Sequence, residues 1–341
     1  MNIVKRLLKN KLFMISFSLI TGCFLVSSFY FIFFNDYIPT ASLLYNENGK
    51  PLPAPYSSSV YPPFGTDEFG RSIAIVMLVG AKYTIGAALL ITVLRVIPAV
   101  FIGLFLEFFL KRLKRPVKSA ADSINYFPTT LLAFLLLNWV SQEGVLMQED
   151  IPSFGTQVLI YISVLSVIFI PLNSVLVANE VELICRKEFI ECSRTLGAGT
   201  WRIITKHVRP FLIPQLFIIF IREFIQTLIL MSHLGILGIF IGGTVFKGNL
   251  FGRSSPASRS DEWAGTLGMW WNYLWTSYPW IAFIPILFLT LLTLAAKAML
   301  DSLNQVLSSE EEAGQAEPQK LVESQKVDAL APFQLLHSKN E

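Results

Sequence analysis

Residues 188–214 read EFIECSRTLGAGTWRIITKHVRPFLIP, and the rest of the chain is arranged about this polar stretch. One apolar run ends before it near Ala178 and another begins at Phe211, so Arg186, Lys187, Arg194, Arg202, Lys206 and Arg209 are held between two membrane spans. Lysine and arginine accumulate in cytoplasmic loops, which places this loop inside. Phe189, Cys192 and Leu196 recur at helical spacing before Gly197-Ala198-Gly199 breaks the pattern, predicting a short helix and a glycine turn. Trp201–Val208 reads as a second short helix, stopped before Pro210. The expectation is a compact knob carrying exposed aromatic side chains.

Around the knob the chain is oily. Of its 341 residues 53% are hydrophobic and only 15% charged, with 28 phenylalanines, whereas a soluble domain carries roughly a quarter charged residues. The formal charge of +3 is small, so the placement of charge says more than its total. Cys23, Cys185 and Cys192 form no C-x-x-C pair and His207, His233 and His337 are scattered, which supports neither a disulfide nor a metal site. No G-x-x-x-x-G-K-[ST] phosphate cradle occurs, since Gly49-Lys50 is followed by Pro51, so the chain is not its own ATP-hydrolysing motor. H-E-x-x-H, G-x-S-x-G and paired intramembrane carboxylates are also lacking. We expect no catalytic residue, no cofactor, no metal and no nucleic-acid partner.

Taken in order, residues 1–11 form a basic cytoplasmic start, with Lys5, Arg6, Lys9 and Lys11. Residues 12–34 are an uncharged apolar run, at about 1.5 Å per residue long enough for a retained first span. Residues 35–72 are proline-rich and polar, an external loop. Ile73–Lys82 reads as an amphipathic lead-in, and further spans are expected at about 83–110, interrupted by Arg95 and Pro98, then at 123–140, 157–178, 211–233 and 280–300. The basic exit Lys111, Arg112, Lys114, Arg115, Lys118 is internal and the acidic loop holding Glu143, Glu149 and Asp150 external. Residues 306–341 turn acidic and polar, a disordered cytoplasmic tail or a weak helix.

Glu191-Cys192-Ser193, then Gly197, then Pro210 resemble the EAA loop of ABC-transporter permeases, here spanning residues 179–210. Cys192 and Ser193 replace two alanines, and Arg209 stands where an apolar residue is usual. Upstream, Gly65-Thr66-Asp67, Gly70 and Arg71 resemble the Gly-Thr-Asp-x-x-Gly-Arg-Asp signature of the same family, where the plain reading is a turn with Asp67 or Thr66 capping the next helix. The stretch 261–268 and Tyr278-Pro279-Trp280 resemble the pieces before the family's last span, and residues 239–260 look like an insertion of unassigned role. The resemblance, to the second (C-type) permease of oligopeptide, dipeptide and nickel importers, covers roughly residues 60–235 and 261–305. It implies separate ATP-binding subunits docking on the loop, a second permease, an extracellular solute-binding protein and a plasma-membrane location.

In the fifth span Gln215, Arg222, Gln226 and His233 fall within about 20° of one line at 100° per residue, a polar stripe that lipid does not suit. The stripe is expected to line a passage or a seam with the partner permease. Glu223 points about 100° away and is expected to approach Arg95 of the second span. The fold class is therefore an all-α membrane protein of six transmembrane helices, like a type I ABC importer permease, with both termini cytoplasmic. Its expected role is the permease subunit of an ATP-driven importer, with peptides favoured over nickel. A secondary transporter, with its own coupling site and internal repeats, and a permease-derived signalling or scaffold protein remain open alternatives.

Overall fold

The computed structural model describes residues 3–46, 49–146, 153–248 and 254–337. Glu149 and Asp150 of the expected acidic loop lie outside them, as do the ends of the chain and part of the 239–260 stretch. Among the described residues five helices are long and apolar enough to cross a membrane: Lys11–Phe34, Ile73–Phe108, Phe154–Cys185, Thr200–Ile236 and Trp280–Ser309. A short basic helix, α1 (Ile3–Lys9), leads into α2 (Lys11–Phe34), which Asn10 caps by accepting from the Leu12 and Phe13 N–H groups.

The second span is one helix, α3 (Ile73–Phe108), that absorbs the expected lead-in. Neither Arg95 nor Pro98 interrupts it, because Arg95 is neutralised by its neighbours and the helix continues past the proline. Buried Ser27 ties α2 to α3, accepting from the Lys82 N–H at 3.1 Å, and Lys82 reaches Asp36 at 2.6 Å.

The expected third span at 123–140 is redrawn as two helices, α4 (Lys111–Asn125) and α5 (Thr129–Leu146). Pro128 disfavours helical backbone at Phe127, so the chain turns there and leaves an apolar helical stretch of only Thr129–Trp139. α6 (Phe154–Cys185) is longer at both ends than the expected 157–178. α7 (Glu188–Thr195) forms the first helix of the knob.

The second knob helix departs from expectation. It does not stop before Pro210: α8 (Thr200–Arg202), a π-helical turn over Ile203–Val208 and α9 (Arg209–Ile236) follow without a break. Proline has no N–H to offer the carbonyl four residues back and its ring crowds that carbonyl. The widened turn, in which the Arg209 N–H reaches the Ile204 carbonyl, carries the helix past this point. The fifth span and the second helix of the knob are thus one rod.

After α9, two antiparallel strands pair, β3 (Thr244–Gly248) with β4 (Ser254–Ser258), a second such pair in the loop between α2 and α3 joining β1 (Leu44–Tyr45) to β2 (Pro51–Leu52). The short helix α10 (Trp263–Trp270) is then almost wholly buried. It wedges between α3 and α9 through glycines. A Cβ on Gly235 would lie 2.0 Å from the Ala264 carbonyl oxygen, one on Gly268 1.9 Å from that of Gly235, and one on Gly80 2.2 Å from that of Asp261. The last helix, α11 (Trp280–His337), runs on through the polar segment for which composition left disorder or a weak helix open. Ala, Glu, Gln, Lys and Leu, all good helix formers, dominate it there.

The main core lies where α3, α6, α9, α10 and α11 meet, with Trp270, Ile85, Leu165, Leu228 and Met231 fully buried. A second, smaller core at the knob end unites Val96, Val181, Ile184, Ile190, Ile203 and Val208. It fastens α7 to the ends of α3, α6 and α9.

Candidate functional site: knob, stripe and external clasp

At the knob, α7 closes in a glycine turn that satisfies its last carbonyls. Gly197, at φ +84°, donates to the Arg194 carbonyl at 2.9 Å, and Ala198 donates to that of Ser193 at 3.0 Å. This is the helix stop in which a left-handed residue lets two trailing N–H groups fold back. Ser193 donates to the Phe189 carbonyl at 2.8 Å, so its hydroxyl is satisfied inside the helix. Phe189 packs against Phe211, with centroids 5.3 Å apart, and against His207. Lys187 lies over the Phe211 ring at 4.8 Å. Glu191 and Cys192 are exposed, and the tip presents Leu196, 87% exposed, and Trp201, 76% exposed. Pro210 stands in the first turn of α9, at the root of the knob rather than at the end of its second helix.

The stripe runs along the outward face of α9. Gln226 and His233 are exposed and Gln215 and Arg222 half-exposed, while Leu212, Ile219, Glu223, Thr227 and Leu230 of the same helix are buried. His233 meets the Thr130 hydroxyl at 3.2 Å, and a cavity of about 310 Å³ opens beside it, lined among others by Ser232, Thr290 and Thr293. Behind the stripe the expected pair forms, with Arg95 reaching Glu223 at 3.3 Å, the Thr227 hydroxyl at 3.0 Å and the Leu165 carbonyl at 3.0 Å. Its guanidinium also lies 4.0 Å from the Phe169 ring centroid.

At the other end of the spans, the signature residues build a clasp. Asp67 caps no helix; one carboxylate oxygen accepts from the Phe69 and Arg71 N–H groups, and the other accepts from the Arg71 side chain at 2.8 Å. α3 starts instead at Ser72, without a side-chain cap. Gly65 and Gly70 take φ of +81° and +74°, and a Cβ on Gly65 would lie 2.4 Å from the Tyr56 carbonyl oxygen. The Thr66 hydroxyl accepts from the Tyr56 N–H at 2.9 Å. Arg71 then reaches across 190 residues to Asp261 with contacts of 2.8 and 2.9 Å.

Sequence reasoning missed Asp261 and its neighbour Glu262. The β3–β4 stretch supplies their partners: Lys247 approaches Asp261 at 3.6 Å, the Ser258 and Ser260 hydroxyls donate to Glu262, and Ser255 donates to Glu68 at 3.2 Å. The described residues of the 239–260 stretch thereby acquire a structural task, closing the end of the spans opposite the knob over α10. Burial pushes the Glu262 carboxyl up to about 7, against the pull of those hydroxyls and the Ile241 N–H. A signal was present in the sequence, since two adjacent acids before a tryptophan-rich apolar segment call for buried partners.

Two structural regions thus stand at opposite ends of α9, with the knob at one and the clasp at the other, and the stripe between them. Residues 99–309 match the model of the binding-protein-dependent transport system inner membrane component. The chain is similar to a Brucella suis protein named as a peptide transport system permease, 26% identical over 197 residues, 56% of this chain and 62% of that relative. It also resembles the dipeptide transport system permease protein of Alkalihalophilus pseudofirmus, 23% identical over 69% of this chain and 70% of the relative. The glutathione transport system permease protein of Pectobacterium atrosepticum is 22% identical over 51% and 54%. The chain spans about three-fifths of the length of the Brucella relatives it matches. With more than half of its residues covered by that model, and with a largely helical, multi-span architecture, the chain belongs to the family of binding-protein-dependent transport system inner membrane components.

Proposed function

We propose that this chain is the membrane subunit of an ATP-driven importer of peptides, and that its knob couples a separate ATPase subunit to movement of the spans. The observation that carries the reading is the unbroken helix from Thr200 to Ile236, which joins the exposed tip of the knob to the striped helix α9. A push on Leu196 and Trp201 would act on a rod held by its own small core, as rigid-body switching requires. Large apolar side chains exposed at a tip favour a protein partner there. Glu191, Cys192, Ser193, Gly197 and Pro210 are the residues assigned to that docking loop.

In the same reading, Gln215, Arg222, Gln226 and His233 face a passage or seam shared with a second permease, and an extracellular binding protein delivers the substrate. The knob and both termini face the cytoplasm. Peptides are favoured by the names of the relatives. Reconstitution of this chain with its partner permease and ATPase subunits tests the proposal. ATP hydrolysis should depend on the chain and rise with binding protein and peptide. Peptide uptake without ATP would indicate a secondary transporter, and neither uptake nor stimulated hydrolysis would indicate a signalling or scaffold role.

A further inference from the structure

Where α3 and α6 end beside the knob, a cleft of about 310 Å³ opens between Glu107 of α3, four cations of α4, and Asn179 and Glu182 of α6. Lys111, Lys114, Arg115 and Lys118 fall within about 100° of arc at helical spacing, so one face of α4 is uniformly positive. Two of the four are engaged. Glu107 binds Lys111 at 3.2 Å and Lys114 at 2.9 Å, while Glu182 binds Lys114 and Arg186, each at 2.5 Å. Lys114 also donates to the Ala178 carbonyl, which pins α4 against α6.

Both carboxylates are therefore matched. Arg115 and Lys118 are exposed and form no ion pair among the described residues. The lining holds four cations against two carboxylates, an excess positive charge in a concave site. The cleft lies where α3 and α6, two helices of membrane-spanning length, come to their ends. Basic pockets between membrane helices bind anionic headgroups.

We propose that this cleft holds the phosphate headgroup of an anionic phospholipid, with Arg115 and Lys118 as its principal contacts and Lys111 at its edge. A basic cleft at the ends of two membrane-length helices stands where lipid headgroups lie, which favours a lipid over a soluble acidic partner. The site sits directly before the knob, because Glu182 pairs with Arg186, the residue that closes α6 ahead of α7. The lipid would thereby brace the root of the knob. The assignment goes beyond the proposed importer role and does not depend on its substrate.

The full chain, purified into phosphatidylcholine nanodiscs with or without phosphatidylglycerol, provides the test. Native mass spectrometry should find phosphatidylglycerol retained by the unaltered chain. Retention should weaken about thirtyfold in the Arg115→Gln/Lys118→Gln variant and about fivefold in Lys118→Gln alone, as expected for basic residues near an anionic surface. Lys50→Gln, which like Lys118→Gln removes one exposed charge but lies in the β1–β2 loop, should leave retention unaltered. Equal retention by the α4 variants, with thermal unfolding unchanged, would overturn the proposal. So would displacement of the lipid by inorganic phosphate alone, which would make the cleft a site for a free anion. Because retention is read without ATP or peptide, failure here is distinct from failure of the importer reading.

Discussion

Arg95 and Glu223, 128 residues apart in sequence, form an ion pair at 3.3 Å with both side chains sealed from solvent between α3, α6 and α9. Removing one member of such a pair strands a buried charge, at a cost of about 3–5 kcal/mol. Glu223→Gln and Arg95→Met should therefore each lower the thermal unfolding temperature of the detergent-solubilised chain. The Arg95→Met/Glu223→Leu double variant should recover most of the loss, since neighbouring changes of this kind are non-additive. A double variant as unstable as the sum of the singles would show that the pair is not coupled.

Gly235 lets α10 lie against α9, and a methyl group there has no room beside the Ala264 carbonyl. Gly235→Ala is expected to destabilise the chain by about 1–3 kcal/mol, the range for overpacking. The same change at Gly22, which has no atom within 4 Å of a built Cβ, should be nearly silent. Comparing the two unfolding temperatures checks the wedge.

Gly197 has open space around it but a left-handed backbone. Alanine there should cost roughly 1–2 kcal/mol from conformation alone and leave uptake near normal. Glutamate, if the turn lies against an ATPase subunit, should uncouple hydrolysis from uptake while the protein remains in the membrane. Equal, near-normal uptake by both variants removes the docking role.

Arg222 is half-exposed near the middle of α9 with no carboxylate partner among the described residues. Facing lipid would cost about 2.5–3.5 kcal/mol even on the gentler insertion scales. In the assembled transporter, single cysteines at Gln215, Arg222, Gln226 and His233 should react with a water-soluble thiol reagent, whereas those at Ile219 and Leu230 should not. Arg222→Ala should reduce uptake about tenfold, the effect of one lost charged contact. Uniform inertness along the helix would make the stripe a packing surface.

Glu262 predicts a pH dependence at the clasp. Its folded carboxyl is pushed up to about 7 by burial, from an ordinary 4.5, so the folded chain holds this proton more tightly than the unfolded chain. The stabilisation is full below about pH 4.5 and is lost as pH rises through 7. At about 1.4 kcal/mol per unit it amounts to a few kcal/mol. The unfolding temperature should fall between pH 5 and 7.5 (roughly the window these values set) and the fall should flatten in Glu262→Gln. An identical slope in both proteins would show that the carboxyl does not titrate there.

Most of the apolar helices, the first knob helix and the polar face of α9 were readable from the chain because hydropathy and helical period are local quantities, summed over neighbouring residues, whereas the expected span at 123–140 was not, because Pro128 breaks it. Arg95 and Glu223 could even be paired, since two charges in separate apolar helices have few alternatives to each other. Four features needed the tertiary fold. Helix continuity through Pro210 depends on a π turn that no local pattern demands. The partner of Arg71 is Asp261, 190 residues away, and which of many acids it meets is decided by how α10 packs under the β3–β4 pair. The role of Gly80, Gly235 and Gly268 rests on carbonyl groups approaching from distant helices, and the cleft at α4 on the crossing of α3, α4 and α6. Such contacts are set by the relative placement of whole helices, which side-chain packing selects and a linear pattern does not encode.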